Sequence, residues 1–256
     1  MFIQNRFIKY QTQGSDYHYQ QINRFKPLTF NAYVLARYEN HLNLLCRNIK
    51  KHFLKSNQLK ILDLGCGDAV LLFLLKQRLK NYKLSLWGID ICEEALRVAK
   101  RKIPEGNFAK ENICNLKFPD NAFDIVLSSD VIEHLKKQDK MLKEIKRVLK
   151  KEGITIIGTP IRLTDKPLDK YHVRELFPQE FKKMAEKYFN SAKIVQSHPL
   201  LYLMLYRHHF NFFGKKIFLF YLLINVFTII FKINPFQKIV ETKEKYFSYM
   251  FLVAEG

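Results

Sequence analysis

The sequence predicts an α/β fold in which a mostly parallel β-sheet is covered by helices on both faces. Short apolar runs alternate with segments of helical period, and only short links separate them. The expected strands are 59–64, 84–90, 107–109, 123–129 and 154–158, and the expected helices are 68–79, 93–102 and 139–150. Right-handed crossovers would bring the carboxyl ends of the strands to one edge, where ligands bind.

The individual elements are recognised by their pattern and by the residues that end them. Residues 59–64 read Leu-Lys-Ile-Leu-Asp-Leu, which is typical of a buried parallel strand, and residues 84–90 end in an acid. Pro160 ends the strand at 154–158. Helix 139–150 should carry one apolar face, formed by Met141, Leu142, Ile145, Val148 and Leu149, and Gly153 should stop it.

Four segments are expected along the chain. Residues 1–57 form a basic, aromatic N-terminal cover, with a helix from about 28 to 53 that either packs on the sheet or closes over a ligand. Residues 58–199 form the core, 200–245 a hydrophobic insertion, and 246–256 the final strand of the core.

The insertion contains an apolar run at 217–231 that carries no charge and has lysines on both sides. As a helix it would span about 22 Å. The hydrocarbon core of a bilayer is about 30 Å thick and needs roughly 20 helical residues, so a crossing is not favoured. A helix that is apolar nearly all round must still be covered. Three environments remain open: a membrane interface, contacted through 200–235, a subunit contact, or a cap over an apolar substrate.

The net charge is +19, from 43 Lys and Arg against 24 Asp and Glu. Such a charge favours polyanions, namely nucleic acid, an anionic lipid surface or phosphorylated substrates. The excess is mostly lysine spread over polar faces, so a solvated surface without a polyanionic partner is an equal alternative.

The cysteines Cys46, Cys66, Cys92 and Cys114 are far apart, so neither a zinc site nor a disulfide framework is expected. No metal is predicted from the sequence. Residues 1–10 mix polar and charged residues among apolar ones and lack the apolar run of a signal peptide. We therefore expect a cytoplasmic protein, or one at the cytoplasmic face of a membrane.

A ligand site is predicted where the first two strands end. Gly65 and Gly67 allow a tight turn and a close approach of a ligand to main-chain N–H groups. Asp90, at the end of the next strand, can accept hydrogen bonds from both hydroxyls of a ribose. The alternative is that Asp90 only caps the helix that follows.

Five motifs in order resemble those of class I S-adenosylmethionine (SAM)-dependent methyltransferases of types 11 and 12, including enzymes of surface-glycan, quinone and lipid pathways. The motifs are 62–67, 88–90, 118–126, 132–135 and 145–150, and the resemblance covers about 59–189, with 246–254 similar to the last strand. It implies a Rossmann-like sheet of seven strands and SAM as the cofactor.

The resemblance also implies which residues contact SAM. The methionine part would be held by Asp63, Gly65, Cys66 and Gly67, and the ribose by Asp90. Ile91 and Ile113 would pack on the adenine. Asn112 stands where the family often has Asp, and its amide oxygen can still accept from the adenine amino group. Ser129 and Asp130 would border the sulfonium.

For the acceptor, His134 and His172 are the candidate bases if a hydroxyl is methylated. A purely structural role is the alternative for each of them. The segment 169–175 is similar to an Asp-x-Tyr-His-x-Arg-Glu pattern in methyltransferases of glycan and lipid pathways, which makes Tyr171 and Arg174 candidate substrate contacts.

We therefore expect methyl transfer, to oxygen, on a small or lipid-linked acceptor such as a glycan, a quinone or a phospholipid head group. RNA methylation through the basic surface is a second hypothesis, although 128–131 read Ser-Ser-Asp-Val and not the Asn-Pro-Pro-Tyr of amino-directed base methyltransferases. A non-catalytic membrane adaptor is a third. A nicotinamide dehydrogenase is disfavoured because the third glycine of its fingerprint is missing.

Overall fold

The computed structural model describes residues 16–53, 58–167, 169–212, 215–241 and 246–256. Residues 1–10, where no signal peptide is expected, lie outside them. The helices are α1 (Tyr17–Ile22), α2 (Ala32–His52), α3 (Val70–Arg78), α4 (Glu93–Lys102), α5 (Gln138–Val148), α6 (Pro178–Ala185), α7 (Leu200–Arg207) and α8 (Leu219–Phe231). The strands are β1 (Gln58–Leu64), β2 (Lys83–Asp90), β3 (Asn107–Lys110), β4 (Phe123–Ser129), β5 (Leu149–Pro160), β6 (Ser191–Pro199), β7 (Phe210–Phe212), β8 (Lys215–Ile217), β9 (Ile239–Val240) and β10 (Phe247–Glu255).

The main sheet has the strand order β3-β2-β1-β4-β5-β10-β6-β9. The first five strands are parallel, and β10 runs antiparallel to both β5 and β6. The predicted α/β class is confirmed. The described sheet has one strand more than the seven expected, because the short β9 of the insertion pairs with the outer edge of β6.

The core lies on both faces of the sheet, as the alternation within β1 requires. Leu59 and Ile61 point to one face, where α2 and α3 pack, and Leu62 and Leu64 point to the other, where α5 and α6 pack. The side chains on both faces are fully buried. Parallel strands buried on two sides read as continuous apolar runs, which is why the sequence reveals them.

Two boundaries differ from the expectation for physical reasons. Helix α5 ends at Val148, and β5 begins at once with Leu149, so Gly153 does not stop a helix but lies within a strand. The register between β4 and β5 shifts after Phe123, and this irregularity absorbs the extra residues of β5. In the insertion, Ile217 belongs to a β7–β8 hairpin, so α8 is shorter than the apolar run.

The insertion packs against the start of α2 through buried polar contacts. The Asn225 side chain accepts from the Ala32 N–H at 2.9 Å and donates to the Phe30 carbonyl at 2.9 Å. The Tyr206 hydroxyl donates to the same Asn225 oxygen at 2.8 Å. These bonds satisfy a backbone donor at the first turn of α2, which has no partner inside its own helix.

We expect the change Asn225→Ala to lower the free energy of unfolding by about 2–4 kcal/mol. It leaves the buried Ala32 N–H without its partner, at about 1–3 kcal/mol. It also removes one of the two hydrogen bonds that the Phe30 carbonyl accepts, at about 0.5–1.5 kcal/mol, while the bond from Tyr221 remains. Thermal unfolding followed by circular dichroism measures the loss. The matched control is Leu222→Ala, because Leu222 lies on the exposed side of the same helix. Equal stability of the two variants would contradict the packing of α8 on α2.

Helix α8 is buried on its polar side and exposed on its apolar side. The buried residues of α8 are Asn225 and Thr228. The exposed large apolar side chains of α7 and α8 include a set that we call the apolar face: Leu201, Met204, Leu222, Leu223, Val226, Phe227, Ile230 and Phe231. Among the described helices, none is both long and apolar enough to cross a bilayer.

Candidate active site

A cavity of about 890 Å³ lies at the carboxyl ends of β1, β2 and β4. This volume is typical of a pocket for a small organic ligand. Its lining includes these predicted site residues: Asp63, Gly65, Cys66, Gly67, Asp90, Ile91, Asn112, Ile113, Ser129, His134, Tyr171 and His172. Arg174 does not line it.

The turn after β1 depends on its two glycines. Gly65 and Gly67 have φ angles of +70° and +54°, in the left-handed region that other residues rarely adopt. A Cβ on Gly65 would also collide with the Val131 side chain. The turn thus brings bare backbone to the cavity wall, where a ligand can approach it closely.

The Asp90 carboxylate is held at the mouth of this turn. One of its oxygens accepts from the Gly67 N–H and the other from the Cys92 N–H, both at 2.8 Å. The N-cap of α4 is Cys92 and no side chain caps the helix, so Asp90 orients the residue before the helix but is not the helix cap considered above. Each carboxylate oxygen can accept more than one bond, so the same group can also receive ribose hydroxyls.

Asp63 lies beside Asp90 at the end of β1 and is almost fully buried. Burial raises the pKa of Asp63 well above its usual range, and the nearby charge of Asp90 raises it further. A cationic group bound between these two carboxyls would stabilise the charged form of both.

Both apolar and polar side chains line the cavity near the tips of β1, β2 and β4. Ile91 is 49% exposed although it lines the cavity, which leaves an apolar surface next to Asp90 for a flat ring. The Asn112 amide oxygen already accepts from the Cys114 N–H at 2.9 Å. Ser129 donates a hydrogen bond to Asp130 at 3.2 Å.

The N-terminal cover both packs on the core and lines the cavity. Helix α2 contributes Tyr33, Arg37 and Tyr38 to the lining, and α1 contributes His18. His18 contacts the Asp68 carboxylate next to the glycine turn at 3.0 Å. The described helices of the cover therefore pack on the core and line the cavity, and closure over a ligand stays a prediction.

An ion pair between Arg37 and Asp130 lies in the cavity wall and was not predicted from the sequence. Arg37 Nη1 is 2.7 Å from Asp130 Oδ2, and Tyr249 donates to the other carboxylate oxygen at 3.2 Å. Burial raises the pKa of Asp130, but the Arg37 guanidinium, the hydrogen bonds from Tyr249 and Ser129 and the nearby His134 together outweigh it and keep the pKa below its usual value. The local backbone feature at this ion pair is the positive φ angle of Asp130, which is unusual for residues other than glycine.

The far end of the cavity brings His134 and His172 together. Their ring centroids are 5.0 Å apart, and the buried Glu133 carboxylate lies beside them. Burial raises the pKa of Glu133, and the nearby Asp130 charge adds to this effect. Glu133 was part of a motif in the sequence, but nothing in that motif predicted a place in the site.

His172 is held by carboxylates. Its Nδ1 lies 2.6 Å from a Glu175 oxygen, and its Nε2 lies 3.9 Å from Asp169. Burial lowers the pKa of His172, but the hydrogen bond with Glu175 and the charge of Glu133 outweigh it, so the pKa is raised overall.

The two other residues predicted from this loop lie in different places. Tyr171 lines the cavity, and its carbonyl contacts His134 Nδ1 at 3.0 Å. The Arg174 guanidinium is paired with Glu180 at the start of α6, outside the cavity. A substrate contact by Arg174 would require this ion pair to open.

Comparison with known proteins agrees with this arrangement. Residues 62–157 match the model of a methyltransferase domain. The chain is 30% identical over 131 residues to a "Probable S-adenosylmethionine-dependent methyltransferase" of Mycolicibacterium smegmatis, covering 49% of each chain. It is 31% identical over 142 residues to the ubiquinone/menaquinone biosynthesis C-methyltransferase of Campylobacter jejuni, covering 54% of this chain and 57% of that one. The chain spans about half the length of the curated relatives it matches.

Solved structures share the fold. A SAM-dependent methyltransferase of Thermotoga maritima, described as a possible histamine N-methyltransferase, has a TM-score of 0.56 at 17% identity, covering 87% of this chain and 92% of that one. Phosphoethanolamine N-methyltransferase 2 of Haemonchus contortus, in complex with SAM, has a TM-score of 0.57 at 18% identity. The match covers 92% of this chain and 57% of that one. Residues 62–157 thus match a methyltransferase domain, and by motif order and sheet topology the chain has the fold of class I SAM-dependent methyltransferases.

Proposed function

We propose that this protein transfers a methyl group from SAM to an oxygen atom of a lipid-linked acceptor. The observation that carries the proposal is one continuous cavity, with a nucleoside-type site at the strand tips and titratable side chains at its other end. The acceptor classes considered are a glycan, a quinone or a phospholipid head group that carries an apolar tail.

The residues at the strand tips fit SAM. The turn at Gly65 and Gly67 presents bare backbone, and Asp90 presents a carboxylate that is already oriented by backbone donors. Asp90 would hold the ribose, Ile91 would pack on the adenine, and Asp63 would lie on the methionine side. When bound, SAM supplies a sulfonium methyl group: the S–C bond breaks as an O–C bond forms, sulfur keeps the electron pair, and the acceptor hydroxyl gives up its proton.

The far end of the cavity supplies groups that can take this proton. His134, His172 and Glu133 lie together there, and each has a nitrogen or oxygen atom close to those of the other two. Because the methyl group is activated by the cofactor, the main task of the chain is to hold the acceptor oxygen close and in line. A base within reach of the hydroxyl then assists the transfer.

An apolar tail would find a path at the insertion. Tyr33, Leu203 and Arg207 line both the main cavity and a second cavity of about 380 Å³ between α7 and α8. The apolar face lies on the exposed side of the same two helices. Exposed basic residues of the same insertion include Arg207, Lys216, Lys232 and Lys238. An insertion with an apolar surface and exposed basic residues suits the interface of an anionic membrane.

The acceptor class is tested with the purified full chain and SAM that carries a tritium-labelled methyl group. Lipid, water-soluble and RNA fractions of cell extract are offered separately, and we expect label in the lipid fraction. A chain with Asp90→Ala is the negative control. Label in RNA would favour the alternative suggested by the net charge, and label in no fraction would contradict methyl transfer to these classes.

The atom that receives the methyl group is read from the product. Nuclear magnetic resonance with an isotopically labelled methyl carbon separates a methoxy group from a methyl bonded to carbon. A methyl bonded to carbon would overturn transfer to oxygen and would agree with the name of the Campylobacter jejuni relative.

Membrane contact is tested with a double change on the apolar face, Leu223→Glu with Phe227→Glu. We expect it to lower binding to phosphatidylglycerol-containing vesicles at least tenfold in co-sedimentation, because each buried apolar side chain contributes about 1.5–3 kcal/mol. Gln77→Glu on α3, also exposed, is the control for added negative charge. If the unchanged chain does not co-sediment with vesicles but forms a dimer, and the double variant is a monomer, the apolar face is a subunit contact.

A further inference from the structure

We propose that Glu133, His134 and His172 form a binding site for a divalent metal ion, specifically zinc. Two imidazoles and one carboxylate are a known set of three protein ligands for zinc, and they leave one position open for another oxygen. The catalytic use of this site rests on the methyltransferase function proposed above. Its existence does not, because metal binding is measured without any methyl transfer.

The three side chains already lie close enough to share an ion. One ligand atom of each lies within 4.8 Å of those of the other two. In a tetrahedral zinc site with bonds of about 2.0–2.1 Å, the ligand atoms are about 3.3 Å apart. Small side-chain rotations would close the difference, and no backbone rearrangement is required.

One carboxylate oxygen of Glu133 is buried and unsatisfied. Its side chain is fully buried, and Oε2 accepts from the Thr159 hydroxyl at 3.0 Å. Within the described part of the chain, Oε1 has no hydrogen-bond partner although it is buried and Glu133 lines the cavity. An unsatisfied buried carboxylate oxygen is costly, and a bound cation would remove that cost.

The histidines are oriented as metal ligands usually are. His134 Nδ1 faces the Tyr171 carbonyl at 3.0 Å, and since a carbonyl only accepts, this nitrogen carries the hydrogen. His172 Nδ1 faces the buried Glu175 carboxylate at 2.6 Å. In neutral rings the lone pair then belongs to Nε2. Such bonds to a carbonyl and a carboxylate are typical of zinc-bound histidines and fix the ring orientation.

The short 3-10 helix Ile132–His134, which carries Glu133 and His134, is tied to the loop that carries His172. The N–H groups of Val173 and Arg174 both donate to the Glu133 carbonyl, at 2.8 and 3.1 Å. The Gln138 side chain donates to the carbonyls of Ile132 and Arg174. His172 is therefore positioned beside Glu133 and His134 by main-chain contacts, which gives the site the rigidity that metal binding favours.

A metal here would act directly on the acceptor. Its open position would bind the acceptor hydroxyl and lower the pKa of that group, so that the proton leaves to water. The histidines would then serve as ligands and not as proton acceptors. The substrate class would be a hydroxyl compound able to coordinate zinc at the end of the cavity.

The test uses the full chain, freed of metal with a chelator and carrying no histidine tag. Addition of Co²⁺ should produce visible absorption bands of a bound ion with nitrogen and oxygen ligands, and Zn²⁺ should displace them. We expect Glu133→Gln and His172→Asn each to weaken Co²⁺ binding at least tenfold, and Glu175→Gln, which alters a positioning residue, to weaken it less. His208→Asn, in an exposed histidine outside the site, should change nothing.

Thermal unfolding checks that each variant is folded, and if Glu133→Gln is not, His172→Asn still decides. Absence of the bands in the unchanged chain would overturn the proposal, as would bands that persist in both ligand variants. Calorimetric SAM titration of the same samples separates the two proposals: SAM binding without Co²⁺ binding contradicts only the metal site, and Co²⁺ binding without SAM binding contradicts only the methyltransferase function.

Discussion

The change Asp90→Ala is expected to raise the dissociation constant for SAM more than tenfold. Asp90 lies at the glycine turn, and its carboxylate would accept hydrogen bonds from the ribose hydroxyls while remaining oriented by Gly67 and Cys92. Hydrogen bonds to a charged group contribute about 1.5–3 kcal/mol each, and tenfold corresponds to about 1.4 kcal/mol. Isothermal titration calorimetry with the purified chain measures the effect.

Two companion variants identify the cause. Asp90→Asn keeps one acceptor oxygen and removes the charge, so we expect an affinity between those of the unchanged chain and Asp90→Ala. Glu93→Ala removes an exposed acid close by, at the first turn of α4, and should leave SAM affinity unchanged. Unchanged affinity in a folded Asp90→Ala chain would remove the ribose role.

The change Arg37→Met is expected to lower the free energy of unfolding by about 3 kcal/mol near neutral pH. Removing one partner of a largely buried ion pair leaves the other charge without compensation. The side chains of Arg37 and Asp130 are only 17% and 25% exposed, so solvent can replace little of the lost interaction. Chemical denaturation of single and double variants with Asp130→Asn measures the coupling.

The effect should depend on pH with a definite sign. In the unchanged chain the pKa of Asp130 lies below its usual value, so its contribution to stability is present above about pH 4 and is lost as pH falls through the folded pKa. Without Arg37, burial is opposed mainly by the hydroxyls of Tyr249 and Ser129, and the pKa rises. As pH falls, Asp130 of the variant becomes protonated and no longer carries an uncompensated buried charge. The difference in the free energy of unfolding between the unchanged chain and Arg37→Met therefore narrows as pH falls from 7 towards 4.

An exposed pair provides the comparison. Arg97 and Glu94 form an ion pair on α4 with 68% and 47% of their side chains exposed, and Arg97→Met should cost less than about 1 kcal/mol. If Arg37→Met costs no more than Arg97→Met, or if its effect grows on acidification, the assigned role of the Arg37–Asp130 pair is wrong.

The sheet, and the meeting of the glycine turn and Asp90 at one edge of it, could be predicted because their signals are local. The strand at 59–64, the glycines at 65 and 67 and the acid at 90 each lie in short segments whose pattern is set by burial and backbone conformation. In a parallel sheet, strands β1 and β2 bring those segments to one edge without further information.

Which side chains meet at the far end of the cavity could only be decided by tertiary structure. Glu133 lies in a short 3-10 helix and His172 in a loop far along the chain, and Arg37 of the N-terminal cover meets Asp130 of the core. No spacing along the chain therefore records these contacts. The expectation that no metal would bind considered cysteine pairs, whereas the proposed ligands converge only after folding.

The orientation of α8 shows the same division in a single helix. Its sequence is apolar nearly all round, so periodicity determines that the helix must be covered and cannot say which side the protein covers. In the folded chain Asn225 and Thr228 turn inward and Leu223 and Phe227 stay outside. Asn225 turns inward because it satisfies backbone groups of the cover. Local pattern thus determined the helices and strands of this protein and its glycine turn. Long-range packing determined which side chains meet, because contacts between distant segments leave no periodic pattern in the sequence.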